Sequence, residues 1–295
     1  MRDTPMLSRR LIRTAVLTMA PGLCAAQQAG HGNTSEPMYH YPRWSPDGTR
    51  VVVVAITPTD ARLLVLSVAS GEAHVIRPPN IRPMAADWTA SGRISFVGDS
   101  AGVSNRSFVV DADGRKLGPF RRDSIESATR DSSILLFESH RNAGSSIFAT
   151  DRRRLVARQL TRGFWAEQPS ISPDEHHIVI EKRADPNRMD LSEIVVMALD
   201  GGGQTTIASG TDPSWSPDGK TILFKSLDAN GVLWISVVDV AKRTTRRLAR
   251  GVHPQWSPAG DRILYMSDDP GHNGVYVMTA NGADPRCLTC SVSKK

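Results

Sequence analysis

A segment built around Trp-Ser-Pro-Asp-Gly recurs along this chain at steps of 40 to 44 residues, and a period of that size marks an array of small structural units. Its anchors are Trp44, Trp88, Ala128, Ile171, Trp215 and Trp256, which stand 44, 40, 43, 44 and 41 residues apart. Three copies are nearly complete: Trp44-Ser45-Pro46-Asp47-Gly48, Trp215-Ser216-Pro217-Asp218-Gly219 and Trp256-Ser257-Pro258-Ala259-Gly260. Trp88-Thr89-Ala90-Ser91-Gly92 and Ile171-Ser172-Pro173-Asp174 are eroded, and the copy at Ala128 is recognised by its spacing to Phe137. Nine residues after the anchor stand Val53, Phe137, Ile180, Phe224 and Tyr265, with Phe96 eight after Trp88.

Each part of the template has a physical role. Proline presets φ at the second position of a tight turn, Asp caps it through its own backbone, and Gly takes the positive φ that closes a hairpin. Ser-Pro-Asp-Gly therefore joins two antiparallel strands. The second of these is apolar, over residues 50–56, 94–97, 134–138, 178–180, 222–224 and 263–266. A third strand is predicted over 63–68, 107–111, 146–150, 193–198, 233–238 and 275–279. Turns such as Ser70-Gly71, Asp113-Gly114, Asp200-Gly201 and Asn281-Gly282 lead to a fourth over 73–76, 158–161, 205–208, 246–249 and 286–289. Four strands per repeat, six times over, predict an all-β, six-bladed β-propeller with essentially no helix. Trp44, Trp215 and Trp256 are expected to be largely buried between blades, and Trp165 to lie on an exposed loop.

On these motifs the chain resembles the TolB-like propellers, which share the Trp-Ser-Pro-Asp-Gly hairpin and an Arg-Leu-Thr ending, here Gln159-Leu160-Thr161, Arg247-Leu248-Ala249 and Cys287-Leu288-Thr289. The resemblance covers residues 37 to 292 and is specific to a fold, not to an activity. It implies an envelope setting. TolB itself carries an α/β domain ahead of its propeller for which there is no room here, so a direct part in the Tol-Pal machinery is not expected.

The chain's net charge of +6 includes +3 from Arg2, Arg9, Arg10, Arg13 and Asp3, and the remainder is too mild to imply a nucleic-acid partner. The same arginines, followed by the apolar stretch 15–19 with Leu23 and by Cys24-Ala25-Ala26, predict a signal peptide over 1–26. A polar linker over 27–36 and the propeller over 37–295 follow. With no apolar run long enough for a membrane span, the expectation is an exported monomer, periplasmic or secreted.

Several motifs imitate reactive sites. Gly98-Asp99-Ser100-Ala101-Gly102 has the Gly-x-Ser-x-Gly form of a hydrolase elbow, but it lies between two strands where the elbow needs a strand and a helix. Asp111-Ala112-Asp113-Gly114 lacks the further ligands of a calcium loop and reads as a hairpin turn. Asp268, Asp269 and His272 read as turn residues rather than a cation site. The adjacent His176 and His177 point to opposite sides of a strand. Cys287 and Cys290, if both in an extended strand, stand about 10 Å apart, too far for a disulfide without a turn. A thioredoxin-like role would also need a βαβ context that is missing. Arginines at 121–122, 152–154 and at Arg243, Arg246 and Arg247 read as charged outer edges that discourage sheet-to-sheet association.

The residue three places before each anchor should approach the mouth of the central channel: Tyr41, Ala85, Ile125, Gln168, Asp212 and His253, with Trp165 nearby. Mouths of closed β architectures are common ligand sites. The expected role is a platform for an envelope protein or peptide, without catalytic residues, metal or cofactor, the candidate binding residues being Tyr41, Trp165, Gln168, Asp212 and His253. The alternative is a channel-centred metal enzyme similar to the oligogalacturonate lyases, for which His253 and Gln168 would supply ligands.

Overall fold

The computed structural model describes residues 37–292 except 101, 120–126, 129–133, 140–143, 152–155, 186, 268 and 270–271. Six four-stranded antiparallel sheets follow one another along the chain, each formed from strands consecutive in sequence. Blade 1 holds β1 (Met38–Trp44), β2 (Arg50–Ile56), β3 (Ala61–Ser67) and β4 (Ala73–Ile76). Blade 2 holds β5 (Ile81–Trp88), β6 (Ile94–Ser100), β7 (Val103–Val110) and β8 (Gly118–Pro119). Blade 3 is built from β9 (Ser127–Ala128), β10 (Ile134–Ser139), β11 (Ser146–Asp151) and β12 (Val156–Gln159). In blade 4 the strands are β13 (Trp165–Ile171), β14 (His177–Arg183), β15 (Glu193–Ala198) and β16 (Thr205–Ser209). Blade 5 comprises β17 (Thr211–Trp215), β18 (Thr221–Leu227), β19 (Leu233–Asp239) and β20 (Thr245–Arg250). Blade 6 closes the series with β21 (Val252–Trp256), β22 (Arg262–Ser267), β23 (Gly274–Thr279) and β24 (Arg286–Cys287). Among the described residues the helical content is one 3-10 turn at Met189–Leu191.

The Ser-Pro-Asp-Gly turn forms as its chemistry dictates. In blade 1 the Ser45 Oγ donates to Asp47 Oδ1 and accepts from the Arg50 amide, Asp47 Oδ1 accepts from the Thr49 amide, and Gly48 sits at φ 69°. The Ser45 hydroxyl and the Thr49 amide and hydroxyl hold the Asp47 carboxyl down at about 2. Ser172 with Asp174 and Ser216 with Asp218 repeat the arrangement. The turns also touch between blades: a side chain on Gly48 would meet Pro258, one on Gly219 would meet Pro173, and one on Gly260 would meet Pro217. The motif thus shapes a hairpin and seats it on its neighbour. The hydrolase-like segment is part of the β6–β7 hairpin, where Ser100 pairs with Val103. Asp111 to Gly114 form a turn closed by a bond from the Gly114 amide to the Asp111 carbonyl.

The second strands are the core. Val51 to Val54, Ile178 to Ile180 and Ile222 to Phe224 are wholly buried, because one face of a blade is covered by the preceding blade and the other by the next, as blade 6 covers Val51 and Val53 and blade 2 covers Val52 and Val54. Closure between the chain's two ends uses the same contacts. Tyr39, Trp44, Val53 and Leu66 of blade 1 share a core with Leu264, Val275 and Leu288 of blade 6. The Trp44 Nε1 donates to the Gln255 carbonyl across this seam, as Trp88 Nε1 does to the Arg43 carbonyl between blades 1 and 2.

Some expectations need correction. The last strand ends at Cys287, after which the chain turns and brings Cys287 and Cys290 to a Cα separation of 5.7 Å, where they form a disulfide. Trp44, Trp215 and Trp256 do lie between blades: Trp44 is buried, and Trp215 and Trp256 are partly buried against the cores shared by blades 4 and 5 and by blades 5 and 6. Arg246 is no bare edge charge: its guanidinium donates to the Asn281 carbonyl of the next blade, as Arg158 does to Asp200 and Arg286 to Ala69. The arginines at 121–122 and 152–154, together with Ile125 and Asp268, lie outside the described residues.

Candidate functional site

The inner strands of blades 1, 4, 5 and 6 share a local irregularity at the position expected from the sequence to approach the channel mouth. Their ladders slip between His40 and Arg43, Glu167 and Ser170, Thr211 and Ser214, and Val252 and Gln255. In each slip one non-glycine residue takes a left-handed backbone: Tyr41 at φ 48°, Gln168 at 54°, Asp212 at 55° and His253 at 54°. All four precede a proline, at Pro42, Pro169, Pro213 and Pro254. The proline ring disfavours the right-handed helical region for the residue before it, and its missing N–H leaves no donor stranded in the irregular ladder. Blade 2 has alanine after Ala85, its slip lies between Pro83 and Ala85, and no left-handed residue accompanies it.

Carboxylates of the preceding blade hold two of these bulges. The Gln168 amide donates to Glu138 at the end of β10, and the Asp212 amide donates to Glu181 Oε2 at 3.2 Å, from the same place on β14. Blade 5 has Lys225 at the corresponding position, and its Nζ lies 2.9 Å from Asp212 Oδ2. Glu181, 2 % exposed, also accepts from Ser192 Oγ and pairs with Arg183, which in turn pairs with Glu167. Trp165 belongs to this group. It opens β13 instead of lying on a loop, is half-buried, and donates from Nε1 to Glu167 Oε1 at 2.6 Å. At the other end of the arc the His253 ring stands 5.1 Å from that of Tyr41, which is 6.2 Å from His40.

Burial and charge set the protonation of the arc. Burial pushes the Glu181 carboxyl above its usual range despite the pull of Arg183. Burial also acts to raise Asp212, but the adjacent Lys225, helped by His253 and Arg183, outweighs it and holds that carboxyl below the ordinary value. His253 is driven down to about 4, chiefly by burial, against the attraction of Asp212, and burial lowers His40 as well. Both imidazoles are therefore neutral at pH 7, able to donate and to accept hydrogen bonds.

Five residues proposed from sequence, Tyr41, Trp165, Gln168, Asp212 and His253, thus fall along one arc running from blade 4 through blades 5 and 6 to blade 1. The charged residues behind them, Glu138, Glu167, Glu181, Arg183 and Lys225, were not anticipated. A signal existed: ten residues after the anchor, where other repeats place Val54 and Met266, this chain has Glu138, Glu181 and Lys225. Among the described residues no group of three or more His, Cys, Asp or Glu is arranged to hold a metal ion. Asp269 pairs with Arg250 at 2.9 Å and stands 3.8 Å from His272.

Known proteins share this architecture. The TolB beta propeller domain matches residues 32–231. The putative TolB from Agrobacterium tumefaciens superposes with a TM-score of 0.56 at 18% identity, over 83% of this chain and 91% of that one. TolB from Acinetobacter baumannii gives 0.55 at 14% identity, over 89% of this chain and 66% of that one. A puromycin hydrolase S511A mutant complexed with PGG gives 0.51 at 16% identity, over 86% of this chain and 47% of that one. At such identities the likeness is one of fold. No curated protein matches the chain.

Proposed function

This chain belongs to the TolB beta propeller domain family, and we propose that it works as a binding platform of the cell envelope, holding a peptide or projecting loop of a partner protein at the channel rim. The observation that carries this reading is the set of four non-glycine residues kept near φ 50° at one position in four blades. Such backbone costs energy and persists where surrounding structure holds it for a purpose. Here it presents an aromatic ring, an amide, a carboxylate and a neutral imidazole side by side, the mixed character of a recognition surface. The reading includes export through residues 1–26, a periplasmic or secreted location, and a non-enzymatic role. No helix among the described residues is long and apolar enough to cross a membrane.

The test is capture from envelope extract by the immobilised protein. Replacing Asp212 is a poor probe, since it leaves the nearly buried Lys225 ammonium without its carboxylate and destabilises the fold. Tyr41→Ala combined with Gln168→Ala leaves the charged residues intact and should abolish capture with little change in melting temperature. The control is Lys242→Ala, in the exposed turn between the outer strands β19 and β20. Loss of the partner by the control and its retention by the rim variant would place binding elsewhere. Metal analysis of the purified chain separates this reading from a channel-centred metal enzyme, which would retain a stoichiometric ion.

A further inference from the structure

We propose that the Cys287–Cys290 disulfide is a thiol-exchange site, opened in the folded protein by a thiol that attacks Cys290, and that opening it loosens the seam between blades 6 and 1. The two sulfurs are unlike. Cys290 is exposed, while Cys287 is half-buried. The Cys287 Sγ accepts the Cys290 amide at 3.0 Å and lies 3.9 Å from Thr289 Oγ1, whereas the Cys290 Sγ meets one hydroxyl, that of Tyr276 at 3.7 Å, and no backbone amide among the described residues. That hydroxyl oxygen also accepts the Val275 amide at 3.0 Å, and because a disulfide sulfur carries no proton the hydroxyl is the donor in its contact with Cys287. Gly274 makes the approach possible, since a β-carbon there would stand 2.8 Å from Thr289 Oγ1 and 3.2 Å from Cys287 Sγ.

This asymmetry sets the direction of exchange. An incoming thiolate bonds to the exposed Cys290 Sγ, the Cys290–Cys287 bond breaks, and Cys287 departs as a thiolate received by one N–H and one O–H donor, against the single Tyr276 O–H at Cys290, which favours Cys287 as the leaving group. A second thiol then attacks the sulfur of the first, releasing the external disulfide and Cys290 as a thiolate. Two thiols are oxidised and one protein disulfide is reduced, so electrons balance. No thioredoxin-like helix is needed, because the donors come from the bridged turn itself.

The turn also carries the seam. Leu288 and Thr289 are each 1% exposed, and Leu288 lies in the core shared with Tyr39, Trp44 and Leu66 of blade 1. Arg286 reaches the Ala69 carbonyl of blade 1 at 3.0 Å. The strand supporting them is two residues long, against six for the outer strand of blade 5. The bridge does for this edge what extra ladder bonds do there.

The experiment uses the chain purified without reductant. Brief exposure to reduced glutathione, quenching with iodoacetamide and peptide mapping should find glutathione on Cys290 and the alkyl group on Cys287. With dithiothreitol, amide exchange should rise several-fold over residues 39–44 and 275–279 and stay unchanged over 178–183, with a melting temperature lower by roughly 4–8 °C. A Cys287→Ser, Cys290→Ser variant should show the lowered melting temperature and no response to thiols. Thr289→Val should slow glutathione attack and Thr289→Ser should restore it; if Thr289→Val does not fold, the mapping on the unaltered chain still decides. Glutathione on Cys287, thiol release only in denaturant, or unchanged exchange at the seam would each overturn the proposal.

Discussion

At His253 two effects compete within a single side chain. The Asp212 carboxylate favours the protonated ring, but burial wins and pushes it down to about 4 from an ordinary 6.5. In the unfolded chain the imidazole takes up a proton as pH falls through 6.5, while the folded protein refuses it until pH 4. Stability is therefore present above pH 6.5 and lost on acidification toward 4, by roughly 2 kcal/mol between pH 7 and 5. His40, also lowered by burial, acts in the same direction. Glu181 acts oppositely: its folded carboxyl is raised, so protonation below its folded value relieves a cost. Asp212, held low, contributes stability that is lost only below the unfolded aspartate range near 3.8. The comparison that isolates the ring is His253→Gln, whose urea midpoint should fall less between pH 7 and 5 than that of the unaltered chain. Identical slopes for the two proteins would show that the imidazole is not protected from protons.

The elements show what each tryptophan does in its strand. Trp44 ends β1 at 8% exposure, in the seam core, with its Nε1 bonded to blade 6. Trp44→Ala should cost roughly 3–5 kcal/mol in urea unfolding, the range for a large aromatic lost from a core. Trp165 opens β13 at the rim and is half-buried, so Trp165→Ala should cost about 1 kcal/mol, and equal losses would mean that the seam is not a core. The apolar second strands were legible in sequence because a strand covered on both faces is an unbroken apolar run, as Val51 to Val54 are. The four bulges were legible through the X-Pro pairs that precede four of the six anchors, at Pro42, Pro169, Pro213 and Pro254. Trp165 was misplaced because a strand's first residue shares the polar surroundings of the loop before it. The Glu181, Arg183 and Lys225 arrangement was hidden because its partners come from different blades, and pairing across a ring leaves no local pattern. Gly118–Pro119 and Arg286–Cys287 are too short to show periodicity at all.

For the whole molecule, each sheet is complete within its own stretch of chain, and the ring closes by side-chain packing and a few hydrogen bonds, not by a strand shared between the termini. Where one blade passes to the next, the connection can be a single residue: Gly210 between β16 and β17, and Gly251 between β20 and β21. The passage from β24 back to β1 is the same step around the ring, except that the chain is not joined there. A circular permutant tests this equivalence. Residue 292 joined to Pro37 through a short flexible linker, with new ends between the exposed Arg162 and Gly163, preserves every four-stranded sheet and every seam. Closing a modest loop while opening another changes chain entropy little, since doubling a loop costs only about 0.6 kcal/mol. The permutant should therefore fold to the same far-ultraviolet circular dichroism spectrum and melt within a few degrees of the parent in one transition. A permutant that unfolds in two separated steps would show that the blade 6 to blade 1 junction is not equivalent to the other seams, and that chain continuity between blades 3 and 4 holds the ring together.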